Sequence, residues 1–565
     1  MKNLKSILLH NKGLFILSLI IFSIMAVLWS LYAILWVQIV DSMIALNFQG
    51  VLYAFWMAIL LVTTHSILGL ASNNLFDKYI QKTLQSLKTA LFSNYVGYGY
   101  NNFYKRSAGD YLNVITTLTY EVYARYIYPA NAILRRIFST LFSVALIFIF
   151  SWQIGLLFLL MVIIQLIPTH IMMKRIKMAT NIYAEETSRF SGKTNDLLAG
   201  FEIISSRNIQ KQVTSVFSTH NVHLEEARYK RQFINNLSFM FTSIVNHFIT
   251  LMPLLLGALL VINGNITIGI IVGGIVQLWN TSISYVNEIV NNYKNLISGN
   301  VVAQKIEKDL QPLEAKTQIS LSSSFKTLSL ENIFYSIEEA SGSKRTILKN
   351  INFCFEKGKK YTIIGESGSG KSTLAKIISR LFLPESGVIK VNNYILEETS
   401  LINEVVDFAP QDTYIFNDTL HNNVTLYNDA YSDEQILSKL HDVKLEDFVT
   451  NIDEKLDGIV SEQTASGGEK QRIGIARTLL SNLPVIVYDE STSALDSLLY
   501  TEIESLILSD ADATVISISH RLDENMLRKY DAILVMKNGR LVESDRFDVL
   551  LKNDAEFSRL YGLTS

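Results

Sequence analysis

The chain has a single cysteine, Cys354, in 565 residues. An intramolecular disulfide is excluded, and a lone thiol fits no metal-ligand spacing, so Cys354 reads as a small core residue. Positive charge is not in excess either. With 50 Lys and Arg against 52 Asp and Glu, the net charge of −2 lacks the basic footprint of a nucleic-acid binder, and no nucleic-acid partner is expected. Over long stretches cations are missing altogether. None occurs between Lys12 and Lys78, between Arg136 and Lys174, or between Arg231 and Lys294, windows of 65, 37 and 62 residues. The lysine-bearing start runs into an apolar tract of spanning length, which reads as a first span and not a cleaved signal.

What fills these windows is apolar. Hydrophobic residues make up 49% of the chain and charged ones 18%, a membrane-like skew confined to the first 300 residues. A membrane-crossing helix takes about 20 apolar residues, so each window suits a helix pair. Six spans are expected, near 14–40, 51–75, 130–151, 153–174, 236–262 and 266–292. The short turns within the windows carry no cation, whereas Lys2, Lys5, Arg106, Lys174, Arg175, Lys177 and Lys230 flank them. By the positive-inside rule, both termini and the long connections 76–129 and 175–235 face the cytoplasm of a multi-pass cell-membrane protein. Almost nothing projects outside, which excludes an extracellular receptor or protease domain. The connections are polar and helix-compatible and read as helices continuing beyond the bilayer. His65, Gln165, Asn246, His247, Asn280, Asn287, Glu288 and Asn291 lie within or near spans and suggest a partly polar path. The expected organisation is a membrane domain at 1–300, a linker at 301–325 and a soluble α/β domain at 326–565.

In the soluble half, an apolar run ends in GESGSGKST, composed of Gly365, Glu366, Ser367, Gly368, Ser369, Gly370, Lys371, Ser372 and Thr373, and a helix-like segment follows. Strand, glycine-rich loop and helix form a phosphate-binding unit. Backbone amides wrap the α and β phosphates, Lys371 neutralises the β and γ oxygens, and the Ser372 hydroxyl ligates Mg²⁺. ATP and Mg²⁺ are therefore the expected cofactors. A second apolar strand, 485–488, ends in two adjacent carboxylates. Asp489 would orient the Mg²⁺ shell, and Glu490 would polarise the attacking water as general base. A third strand, 514–518, ends at His520, suited to hold the γ phosphate. Gln411 sits in a turn where its amide could ligate Mg²⁺.

The segment ASGGEKQRIGIARTLL at 465–480 discriminates among phosphate-loop proteins. With it the chain resembles the ATP-binding cassette exporters, whose signature is matched at Ser466, Gly467, Gly468, Gln471 and Arg472, with Asp496 closing an SALD turn. Gln411, Asp489, Glu490 and His520 follow in family order, and FYKRSAGDYL at 103–112 looks like the family's coupling segment. The resemblance implies a six-span α-helical exporter domain followed by an ATP-binding cassette of the α/β P-loop NTPase fold. It also implies a dimer in which each ATP is shared between one chain's phosphate loop and the other's signature. The partner is therefore a second half-transporter: a homodimer is favoured, because no site element is degenerate, and a heterodimer stays open.

Two departures from the family pattern stand out. Ala465 and Glu469 replace the usual Leu and Gln of the signature. Ser466 and Glu469 nevertheless have the spacing of a capping box, which would keep the helix N-terminus aimed at the partner's phosphate. The aromatic that usually stacks on adenine aligns with Ile337, leaving Tyr335 as the candidate. For cargo, the polar late spans favour a peptide such as a bacteriocin or other modified peptide, with a lipid flippase or multidrug exporter as the alternative. An ATP-gated channel or regulatory membrane ATPase is a distant third reading. With no cysteine-protease domain read ahead of the spans, this chain is not expected to trim a leader if its cargo is a peptide. Membrane lipid is an expected partner, and the richness in Asn, Ile and Lys looks bacterial.

Overall fold

The computed structural model describes residues 2–311, 324–338, 343–392, 394–396, 405–553 and 555–562. The chain separates into two compact units, Met1–Val96 with Ala108–Gln311, and Gly97–Ser107 with Pro312–Ser565.

The first unit is all helical. Five helices are long and apolar enough to cross a membrane: Lys12–Ile44, Phe48–Val96, Ala108–Phe150, Trp152–Ala199 and Gln210–Ile262. The sixth expected span is helical too, a π turn at Ile270–Ile275 leading into Val276–Asp309, but it is not among those five. Its later turns carry Gln277, Asn280, Asn287, Glu288 and Asn291, which dilute its apolar character.

Turns fall where the polar breaks predict them. Asn47 Oδ1 accepts from the Gly50 amide at 3.1 Å, Ser151 is extended between two helices, and Gly264 takes φ +74 in the third turn. The helices Phe48–Val96, Trp152–Ala199 and Gln210–Ile262 hold 49, 48 and 53 residues. At 1.5 Å per residue, each is more than twice the length that a bilayer core needs. The last helix runs to Asp309, into the segment expected as a linker, of which residues 312–323 lie outside the described residues.

The unit's core sits where Trp279 meets Phe158 edge-on at 5.1 Å, both essentially inaccessible, among Ile147, Ile154 and Ile275. Large apolar side chains such as Ile163, Phe239 and Leu255 point outward, as lipid-facing side chains do. Some polar groups in the spans are paired: Gln165 Nε2 donates to Asn287 Oδ1 at 2.7 Å, and Arg136 pairs with Glu288. Asp41 joins the first span to the last, accepting from Thr267 Oγ1 at 2.9 Å and from the Gly269 amide at 3.0 Å.

Among its described residues the second unit holds two larger sheets and a short two-stranded one, Asp418–Thr419 with Ile459–Val460. Thr327–Glu338 lies between Lys344–Glu356 and Ser386–Val391 in an antiparallel four-stranded sheet. Lys360–Gly365 is central in a six-stranded sheet, parallel to both Ala532–Lys537 and Thr514–Ile518, and Val485–Asp489 and Val406–Ala409 follow beyond. These strands read as continuous apolar runs because both faces are covered. Cys354 corrects the core reading. It is exposed, since Lys344–Glu356 alternates and turns Phe355 inward and Cys354 outward.

Candidate functional site

The parallel register brings three strand ends to one level. Gly365 pairs with Met536, Ile518 pairs with Asp489, and Ile363 pairs with Ile518, so the phosphate loop, the two acids and His520 all emerge from the same sheet edge. Ligand sites of open α/β sheets form at that edge.

Glycine is required in the loop by space as well as by backbone angle. A Cβ on Gly365 would lie 2.3 Å from the Met536 carbonyl oxygen, and one on Gly370, at φ +103, would lie 2.8 Å from Leu348 Cδ2. Gly370 precedes the helix Lys371–Ile378, whose first residues are therefore Lys371, Ser372 and Thr373. The Lys371 ammonium donates to the carbonyls of Gly365 at 2.9 Å and Glu366 at 3.1 Å. Burial lowers its pKa, and the nearby Glu490 and Asp489 act against that shift. Ser369 is buried with its Oγ unpartnered at the floor of the loop.

The adjacent acids part company at once. Asp489 ends its strand and accepts from Ser372 Oγ at 2.9 Å. Burial raises its pKa, the Ser372 hydrogen bond opposes this, and the neighbouring Glu490 charge adds to it. Glu490 has φ +54, a conformation that costs a side-chain-bearing residue roughly 1–3 kcal/mol and clusters at functional sites. This left-handed turn swings its carboxylate to the other side, where Gln411 Nε2 donates to Oε2 at 2.9 Å and His520 Nε2 lies 2.6 Å from Oε1. The structure thus joins Gln411, Glu490 and His520 in one cluster and Ser372 and Asp489 in another.

A cation at Ser372 and Asp489 fits these donors. Among the described residues no group of three or more His, Cys, Asp or Glu could hold a metal unaided. One carboxylate, a hydroxyl and an amide completed by phosphate oxygens is the usual shell of Mg²⁺.

Ser466, Gly467 and Gly468 stand at the start of the helix Gly467–Ser481, and the expected capping box is formed. The Ser466 amide donates to Glu469 Oε2 at 2.7 Å, the Glu469 amide donates to Ser466 Oγ at 3.4 Å, and the Ser466 hydroxyl also donates to Glu469 at 2.7 Å. Among the described residues no hydrogen bond or ion pair links Ser466, Gly467 or Gly468 to the chain's own phosphate loop. Sequence reasoning gave Gln471 no role, yet it ties this helix to the acid cluster. Its Nε2 donates to Ser493 Oγ at 3.0 Å and to the Gln411 carbonyl at 3.4 Å, and its Oε1 accepts from the Ala494 amide at 2.9 Å. The one available signal was its place one turn beyond the glycines. Asp496 caps Ser497–Ser509, accepting from the amides of Leu498 and Leu499.

Tyr335 is half-buried on the strand Thr327–Glu338. Its ring lies flat on Phe382, 5.2 Å between centroids and 6° between planes, so one face is already covered.

Two family models match the chain: the ABC transporter transmembrane region over residues 14–295 and the ABC transporter domain over 348–493. The chain belongs to the ABC transporters and is an exporter half-transporter whose cassette is an ATPase coupled to transport across a membrane. Among curated relatives, an ATP-dependent lipid A-core flippase of Pectobacterium atrosepticum is 26% identical over 85% of this chain and 83% of that protein. A Staphylococcus aureus protein named for multidrug export, as an ATP-binding/permease protein, is 25% identical over 75% of this chain and 74% of its own length. Among solved structures, a bacterial Atm1-family ABC exporter with ATP bound shares the fold. It has a TM-score of 0.82 at 22% identity and covers 98% of this chain and 99% of that one. The relatives give no support to a peptide cargo.

Proposed function

We propose that the chain forms a homodimeric exporter that moves a lipid-like amphiphile from the inner leaflet outward, each stroke being driven by hydrolysis of ATP at two shared sites. The clamp on Glu490 carries the reading of the motor. Its carboxylate, fixed between Gln411 and His520 and one residue from the acid bonded to Ser372, is positioned to accept a proton from water attacking a phosphate in the loop. Ser372, Asp489 and Gln411 would hold Mg²⁺, which supplies charge neutralisation when bound. Lys371 and the amides of residues 365–373 cradle the phosphates, His520 holds the γ phosphate, and Ser466, Gly467 and Gly468 complete the partner's site. Termini and cassette lie on the cytoplasmic side, where the flanking cations are.

Two observations support the amphiphile. Of the relatives named above, one is a lipid A-core flippase and another is named for multidrug export. In addition, a groove of about 460 Å³ between the helices Trp152–Ala199 and Gln210–Ile262 is lined by Ile164, Ile167, Pro168, Ile171, Phe241 and, at its inner end, Arg175. An apolar wall ending in one cation suits an acyl chain with a polar head.

The test is reconstitution into liposomes containing a fluorescent phospholipid analogue, with ATP added outside. Wild-type protein is expected to move the probe away from the cassette-bearing leaflet, whereas Glu490→Gln binds ATP and moves nothing and Lys371→Ala fails to bind ATP. Lipid that stays put while an added peptide stimulates ATP turnover would restore the peptide reading.

A further inference from the structure

Glu366 is the one acid within the phosphate loop, and it is exposed. Its carboxylate is paired with the guanidinium of Arg559, which comes from the short C-terminal helix Glu556–Gly562, 193 positions later in the chain. The helix is firmly seated. Phe557 is fully buried and meets Phe547 edge-on at 5.6 Å, and Tyr561 OH donates to Glu524 at 3.2 Å. Below it, the amides of Glu556 and Phe557 donate to Glu543 Oε1. Arg559 also pairs with Glu556, which in turn pairs with Lys537 at the end of the strand beside Lys360–Gly365. Arg559 is therefore held over the loop by an anchored helix.

We infer that Arg559 is a positioning residue for ATP, cancelling the charge of Glu366 so that the loop presents a cationic face to the triphosphate. Both side chains are about half exposed, 46% and 54%, so the pair adds little to fold stability. Its effect is electrostatic and falls on the ligand. Without Arg559, a bare carboxylate stands beside the phosphates and ATP binding weakens. The inference rests on the loop's holding ATP.

The experiment is a double-mutant cycle on the full-length protein, reading the ATP dissociation constant together with KM and kcat. Arg559→Ala should raise Kd and KM roughly three- to ten-fold, more at low salt than at high, while kcat at saturating ATP moves less than about two-fold. Arg559→Lys should keep most of the wild-type affinity. In a Glu366→Gln background, the Arg559→Ala effect should shrink below about two-fold. Equal losses in both backgrounds, or no loss in either, overturn the inference, and Arg559→Gln gives the same comparison should the alanine variant not fold. If wild-type protein binds no ATP, the reading of the loop itself has failed.

Discussion

The signature's Glu469 illustrates how a change of side chain can keep its geometry. It receives the Ser466 amide and the Ser466 hydroxyl while its own amide donates to Ser466 Oγ, and a glutamine could accept through its carbonyl oxygen in the same place. Glu469→Gln is therefore expected to leave ATP turnover within a few-fold. Glu469→Ala loses the return arm of the box and should destabilise the helix start by about 0.5–2 kcal/mol. A ten-fold loss of turnover in the glutamine variant would sink the capping account. Glu504 is the opposite case, a carboxyl that is 2% exposed and accepts the Tyr530 hydroxyl. Burial holds its pKa above the ordinary glutamate range. The fold favours the neutral acid, so the stability it contributes is complete below the unfolded-state pKa and is lost as pH rises through the raised value. Glu504→Gln should flatten the decline in unfolding temperature of the full-length protein as pH rises above the ordinary glutamate range and raise that temperature at the alkaline end. Parallel curves for the two proteins would show that Glu504 does not set the dependence.

Helix packing turns on close approaches that only small residues allow. A Cβ on Gly299, in Val276–Asp309, would lie 2.2 Å from the carbonyl oxygen of Arg125 in the π turn Tyr123–Ile127. Gly299→Ala should therefore push these elements apart, at a cost of about 1–3 kcal/mol, visible as a lower unfolding temperature in detergent. An unchanged melt would mean the π turn shifts freely. Nothing in the sequence announced this contact or the π turns, because both depend on how helices far apart in the chain meet. What was legible was local or periodic. Cation-free windows fixed the long helices, and strand–loop–helix order placed residues 365–373, Asp489, Glu490 and His520 at one sheet edge, since parallel strands of similar length end together. Cys354 was misread because a lone residue type does not say which strand face it occupies. The Glu366–Arg559 pair was invisible for the same reason as Gly299: its members are remote in sequence.

In the proposed motor one chain supplies Lys371, Glu490 and His520, and among the described residues no hydrogen bond links its signature to its own phosphate loop. Ser466 and Gly467 are exposed at a helix N-terminus, and a Cβ built on Gly467 or Gly468 would come no closer than 3.8 Å or 3.6 Å to any neighbour, leaving the amides open to a ligand. Gln471 binds that helix start to the turn at Ser493 and to Gln411, so any displacement of the signature is felt at the residues that clamp Glu490. If two chains close on two nucleotides as proposed, closure and the positioning of Glu490 are coupled through Gln471, and arresting hydrolysis should trap the closed form. Native mass spectrometry of Glu490→Gln protein with ATP and Mg²⁺ is expected to show a dimer of a single chain type holding two ATP molecules, with a lipid-like mass retained. Lys371→Ala should show no nucleotide. A monomer carrying one firmly held ATP would refute the shared site, because it would mean that the phosphate loop holds and occludes nucleotide without a partner's Ser466 and Gly468. A second chain type in the trapped complex would refute the homodimer while leaving the shared site intact.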